Sequence, residues 1–159
     1  MYTLYLAGHV TANPLTYEWR KMVENYFEDN KWIDIINPCN SLFDQSASNN
    51  SDNSRNDFSI TVLKEKGIAL LPYKDRGYVK RSDVVFVNMN TYSSERPSIG
   101  TFFELAWYFD APEKMVIGIF EGDHTKDFQC KHPFVDETIQ TWVKSPLEAC
   151  RLLERFMCV

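Results

Sequence analysis

Glu104 lies in the segment Pro97-Ser98-Ile99-Gly100-Thr101-Phe102-Phe103-Glu104, which reads as the opening of a helix. The small residues Gly100 and Thr101 at such a start let a ligand approach the backbone closely. A carboxylate near a helix N-terminus is held ionised by the macrodipole, the state a nucleophile needs. The plain alternative is an exposed helix glutamate, and position alone favours it. Asp75 follows Leu70-Leu71-Pro72 and reads as a carboxylate at the end of a strand, the edge where doubly wound folds place their sites. Asp83 reads as a polar residue at the start of the next strand. Two acidic groups, one nucleophilic and one meeting the leaving group, are what cleavage of a glycosidic bond through an oxocarbenium-like transition state requires.

Other chemistries find less support. Gly8-His9-Val10-Thr11 is not a G-x-G-x-x-G fingerprint, and neither a P-loop nor a G-x-S-x-G elbow occurs anywhere in the chain. His9 at a strand end is either a structural hydrogen-bonder, the preferred reading, or a ligand contact able to titrate near neutrality. Trp19 belongs to an apolar helical stripe, while its neighbour Arg20 either reaches the strand ends or is solvated. His124, Cys130 and His132 lie close in sequence but match no standard zinc spacing and lack a fourth ligand, so no metal is expected. Cys39, Cys130, Cys150 and Cys158 show no C-x-x-C and no framework spacing, which fits unpaired thiols in a reducing compartment.

The elements that must hold these residues follow from pattern. Short apolar runs at Thr3 to Ala7 (ending in Gly8), Ile33 to Ile36, Ile68 to Leu71, Val84 to Val87, Met115 to Phe120 and Thr141 to Val143 read as strands. Between them come a helix from Asn13-Pro14 to about Asp29, a short helix around Phe58 to Lys66, and a helix from Pro97-Ser98 with Ser98 as N-cap. Phe102, Leu105, Ala106 and Phe109 are expected on the inner face of that last helix. A final helix opens on the capping box Ser145-Pro146-Leu147-Glu148 and runs to about Met157. Asp44 to Asp57, rich in Asp, Ser and Asn, reads as a mobile loop. Strands alternating with helices imply a doubly wound α/β sandwich with five or six strands and its site at their carboxyl ends. Gly8, His9 and Asn88 at strand ends, with Ser98, Gly100 and Thr101 at the helix start, are therefore candidate substrate-binding residues.

The 159 residues suit one domain spanning 1–159, and 44% apolar with 14% aromatic residues gives ample surface to bury. A net charge of -5, with 17 basic residues scattered along the chain, disfavours polymeric nucleic acid and anionic lipid. A small-molecule or protein partner is expected instead. No apolar run reaches bilayer length and the N-terminus lacks a signal-peptide pattern, so the expected location is cytoplasmic.

Leu4-Tyr5-Leu6-Ala7-Gly8, Asn37-Pro38, Asp75 with Ser82-Asp83 following, and PSIGTFFELAW (Pro97 to Trp107) together resemble the nucleoside 2-deoxyribosyltransferase family, and His132-Pro133-Phe134 is similar to small members of it. The resemblance implies a flavodoxin-like fold with a mainly parallel five-stranded sheet. It also implies exchange of the nucleobase of a deoxynucleoside without a cofactor, in a homo-oligomer where a neighbouring subunit completes the sugar site. Glu104 matches the family nucleophile that forms a covalent deoxyribosyl-enzyme, Asp75 the acid that helps protonate the departing base, and Tyr5 the tyrosine that orients the nucleophile. Ser98 departs from the Asp that many transferases carry six residues before the nucleophile. In this it is similar to deoxynucleoside 5′-monophosphate N-glycosidases, which transfer the sugar to water and hold the phosphate with Ser. The Gly/Arg-rich loop that those enzymes place after the first strand is replaced here by His9-Val10-Thr11-Ala12, which keeps the transferase reading first. A nucleotide-binding module without turnover is the rival from another class.

Overall fold

A computed structural model describes residues 1–11, 13–40, 71–94 and 98–157. Five strands, β1 (Tyr2–Gly8), β2 (Ile33–Ile36), β3 (Val84–Asn88), β4 (Met115–Ile119) and β5 (Thr141–Val143), lie in the order β2-β1-β3-β4-β5 with every neighbouring pair parallel. Successive side chains of a strand point to opposite faces. Leu4, Leu6, Val84, Phe86, Ile117 and Ile119 accordingly join one core cluster, and Tyr5, Ala7, Val85, Val87 and Val116 the other. Because both faces are covered, the strands read as unbroken apolar runs.

Helices α1 (Leu15–Tyr26) and α5 (Pro146–Met157) cover the first face through Trp19, Val23, Ala149, Cys150 and Leu153. Helices α2 (Leu71–Arg81), α3 (Ile99–Phe109) and the single turn α4 (Pro133–Asp136) cover the second through Val79, Leu105, Tyr108 and Val135. This is the doubly wound, flavodoxin-like arrangement, all parallel, with its topological switch between β1 and β3. No helix among the described residues is long and apolar enough to cross a membrane.

Local chemistry sets the helix starts. Asn13 Oδ1 accepts the Leu15 N–H at 3.0 Å, so Asn13 caps α1, which ends at Tyr26 rather than near Asp29. In α5 the Ser145 hydroxyl accepts the Glu148 N–H at 3.2 Å, but the Glu148 carboxylate reaches back to the N–H of Lys144, one residue before the position a capping box uses. The expected loop of 44–57 and helix of 58–66 lie outside the described residues. Of the expected strand Ile68 to Leu71 only Leu71 is described, and it opens α2. Proline is tolerated in the first turn of a helix, so Pro72 does not end a strand here but sits inside a helix start.

Arg20 is neither solvated nor partly exposed: it is the largest fully buried side chain of the described residues. Its guanidinium donates to the carbonyls of Leu6 (3.3 Å), Gly8 (3.0 Å) and Thr16, and it stacks over Trp19 at 4.6 Å. Those bonds rivet α1 to the carboxyl end of β1. Gly8 is held there at φ +153°, a conformation that L side chains rarely adopt, and a Cβ would stand 3.0 Å from the Asn88 carbonyl oxygen. Arg20→Leu leaves the Leu6 and Gly8 carbonyls without these donors. It is expected to lower the unfolding free energy by about 3 kcal/mol. The urea midpoint should fall with the slope unchanged, and an unmoved midpoint would contradict the role assigned to these bonds.

Candidate active site

Three of the sequence candidates converge. Tyr5 sits mid-strand in β1, its side chain on the α2/α3 face, fully buried and 6.0 Å ring to ring from Tyr78. Glu104 lies on the second turn of α3, the helix that follows β3, and its carboxylate meets Tyr5 of β1. The Tyr5 hydroxyl donates to Glu104 Oε1 in a short buried hydrogen bond across 99 positions of chain. Asp75, half-buried in the first turns of α2, is near enough for its charge to raise the proton affinity of both Glu104 and Tyr5. It therefore occupies a helix rather than the strand end expected for it, yet its charge acts on the same pair.

Glu104 is not an exposed helix glutamate: only 7% of it is accessible. Burial pushes its carboxyl up to about 8. The Tyr5 hydrogen bond opposes that shift, the Asp75 charge adds to it, and the charges of Arg20 and Lys74 oppose it. The expectation that the helix dipole holds it ionised is thus corrected. Glu104 lies beyond the first turn, where the dipole fades, and desolvation is larger. A carboxyl that titrates near neutrality beside a second acid and a tyrosine can exchange a proton and attack an electron-poor carbon. Tyr108, one turn on, donates to or accepts from Ser82 Oγ at 2.6 Å and closes the base of this polar cluster.

The remaining candidates are placed as follows. Thr101 is buried on the same face of α3 as Glu104, whereas Gly100 is exposed and a Cβ there would meet nothing within 4 Å. Ser98 occupies the N-cap position of α3, buried, but its side chain makes no capping hydrogen bond. His9 is buried with Nδ1 accepting the Tyr92 N–H at 3.3 Å, the structural role preferred for it. Asn88 donates to the Tyr92 hydroxyl at 2.9 Å and accepts from the Asn90 N–H at 3.0 Å, so it folds the turn after β3. With Trp19, Glu18 and Tyr92 it lines a cavity of about 320 Å³ that Tyr5, Asp75 and Glu104 do not line. Asp83 caps the opposite edge of the sheet, accepting the Thr3 N–H at 2.8 Å.

The inner face of α3 differs from the one expected. Thr101, Glu104, Leu105 and Tyr108 are buried, while Ala106 is exposed and Phe109 is 52% exposed. With Phe102, Phe128 and Phe134, the last two residues line an outer hollow of about 530 Å³ that contains no carboxylate. Burial pushes the Cys130 and Cys150 thiols up to about 12, which removes them as thiolate nucleophiles. His124 stacks on Trp142 at 4.9 Å, and His132 lies against Phe134. Arg20, whose sequence reading stayed open between two roles, contributes its charge to the Glu104 cluster.

No family model matches the chain, and no curated protein matches it. Among solved structures it is similar to a conserved protein from Enterococcus faecalis V583, with a TM-score of 0.58 and 17% identity over 98% of each chain. It is also similar to a 2-desoxiribosyltransferase from Leishmania mexicana, with a TM-score of 0.49 and 16% identity over 77% of this chain and 66% of that one. The first of these likenesses shows a fold shared along nearly the whole chain.

Proposed function

We propose that the protein belongs to the nucleoside 2-deoxyribosyltransferase family and exchanges the nucleobase of a 2′-deoxynucleoside through a covalent sugar on Glu104. The observation that carries the reading is the buried Tyr5–Glu104 hydrogen bond with Asp75 beside it. In the working form the negative charge sits on Glu104 and a proton on Asp75. A Glu104 oxygen bonds to C1′ as the bond from C1′ to the base nitrogen breaks. The electron pair leaves with the base, which takes the Asp75 proton. A second base then attacks C1′, Glu104 leaves as carboxylate, and Asp75 recovers a proton from the incoming base. Two inversions give net retention. Tyr5 fixes which Glu104 oxygen is presented. The chemistry asks for no cofactor, and the partners are a deoxynucleoside and a free base.

The test is to incubate the protein with one deoxynucleoside and a different free base and look for the new deoxynucleoside by chromatography. Absence of any exchange product defeats the transferase reading. A second reading, hydrolysis of a deoxynucleoside 5′-monophosphate, is favoured by the Ser98 hydroxyl, which makes no capping bond at the start of α3, a place suited to a phosphate. Sugar phosphate released without exchange would establish it. Intact mass spectrometry that never finds a covalent sugar, together with no turnover of either substrate, would leave a binding module.

Tyr5→Phe removes the bond that opposes the burial of Glu104. Turnover at pH 7 is expected to fall by about 10- to 100-fold, and the rising limb of the pH profile should move to higher pH. A slower enzyme with an unmoved profile would show that Tyr5 only packs.

A further inference from the structure

Leu15, Glu18, Trp19 and Met22 fall at positions i, i+3, i+4 and i+7 of α1 and so share one side of that helix. The side does not end in the core: Leu15 is exposed, and all four residues wall the cavity of about 320 Å³ that Asn88 lines at the end of β3. The Tyr5–Glu104 pair lies on the other face of the sheet, so this is a separate hollow beside the topological switch. Its strand-end wall is held by hydrogen bonds. Asn88 Oδ1 accepts from the Asn90 side-chain amide at 2.9 Å, Asn90 Oδ1 accepts the Glu121 N–H at 3.1 Å, and Asn88 donates to the Tyr92 hydroxyl at 2.9 Å.

Two features of this hollow call for a ligand. Trp19 is only 5% exposed, and its Nε1–H is buried with no hydrogen-bond partner, a costly state for a donor. Cζ2, the ring carbon beside that N–H edge, stands 3.3 Å from the place a Gly8 Cβ would take, so the edge is turned to the strand ends where Asn88 lines the cavity. The Arg20 guanidinium already covers one face of the indole, which disfavours a second cation on the ring and leaves the N–H edge as its polar contact. The other feature is charge. Glu18 and Glu121 stand exposed at the cavity without an ion pair among the described residues, and none of the described lining residues is a lysine or arginine.

We propose that this hollow is a second small-molecule site, which takes a compact organic ammonium. The positive group meets Glu18 and Glu121, an apolar stem lies along Leu15 and Met22, and an acceptor atom takes the Trp19 N–H and the Tyr92 O–H. The two carboxylates repel an anion, and a purely apolar molecule leaves the indole N–H unpaired. The site is independent of the reaction assigned to Glu104.

Three probes of similar shape decide the matter: tyramine, tyrosol and 4-hydroxyphenylacetate, which end in an ammonium, a hydroxyl and a carboxylate. Each is titrated into the full chain at low ionic strength while the indole N–H signals are followed by NMR. The Trp19 signal is identified through the contact of its ring edge with the Gly8 α-protons. Tyramine is expected to shift that signal saturably and to bind about tenfold tighter than tyrosol, whereas 4-hydroxyphenylacetate leaves it unmoved. Added salt should weaken tyramine and spare tyrosol. Replacing both carboxylates, Glu18→Gln with Glu121→Gln, changes two exposed side chains that make no hydrogen bond among the described residues, so the fold stays intact. In that variant tyramine should bind no better than tyrosol. A Trp19 signal that tyramine does not move, equal binding of the three probes, or a tyramine affinity unchanged in the double variant overturns the proposal. No turnover is measured, so the outcome is separate from that of the exchange assay.

Discussion

Glu104→Gln is expected to lower base exchange on the order of 10⁴-fold or more, because the amide is nearly the same shape but cannot form an ester with C1′. The loss should appear in kcat with little change in substrate binding, since the replaced group bonds only as the glycosidic bond breaks. Intact mass spectrometry should find no covalent sugar on the variant, and a trapped adduct on the wild type should map to position 104. Far-UV circular dichroism should be unchanged. Residual turnover within about tenfold of wild type would remove Glu104 from the mechanism.

The same substitution is expected to change how stability depends on pH. In the folded chain Glu104 holds its proton up to about 8, whereas an ordinary glutamate loses it at 4.5. Between those values the native state binds more protons than the unfolded state, so this group makes stability fall as pH rises. The contribution is fully present below 4.5, declines across the interval, and is gone above about 8. At about 1.4 kcal/mol per pH unit the whole interval amounts to at most about 5 kcal/mol. Glu104→Gln should flatten this dependence and be more stable than wild type at pH 9, the reverse of what a core substitution usually does. Urea midpoints of the two proteins at pH 5, 7 and 9 decide the matter. Parallel curves would mean that Glu104 is not desolvated. The kinetic counterpart is a bell-shaped kcat/KM, which rises as Glu104 ionises and falls again once Asp75 has lost the proton it must donate.

The parallel sheet was legible because buried strands are short apolar runs, and β1, β2, β3 and β4 each announce themselves this way. The α3 helix was legible as a helix but not in its orientation. Counting apolar residues selects Phe102, Leu105, Ala106 and Phe109, of which Leu105 is buried and Phe102 packs against the core, whereas the buried face also carries Thr101, Glu104 and Tyr108, polar groups that the site itself brings inside. An apolar pattern misleads where the inward face holds chemistry and aromatic residues stand outside. The helix under Asp75 was missed because Leu70-Leu71-Pro72 has the look of a strand and its stop, and single-sequence patterns cannot separate that from a helix with proline in its first turn. Of the two readings left open for Arg20, reach to the strand ends is the one realised, and choosing between them needed the carbonyls that only the assembled sheet supplies. Glu104 and Asp75 stood out by residue type and position, Tyr5 only through the family resemblance, and their convergence needed the tertiary fold.

The hydrogen bond that joins the first strand to the third helix spans 99 positions. Nothing local can form it. The β1–β3 pairing, itself between partners 80 positions apart, must be complete before tyrosine and glutamate meet. Chains that depend on such remote closures tend to fold slowly. A ribosome-bound fragment ending before position 104 would carry the strand without its carboxylate. In the finished protein, parting this central seam opens the sheet and dismantles the reactive pair in one event, so catalytic competence and amide protection along the first strand should be lost together.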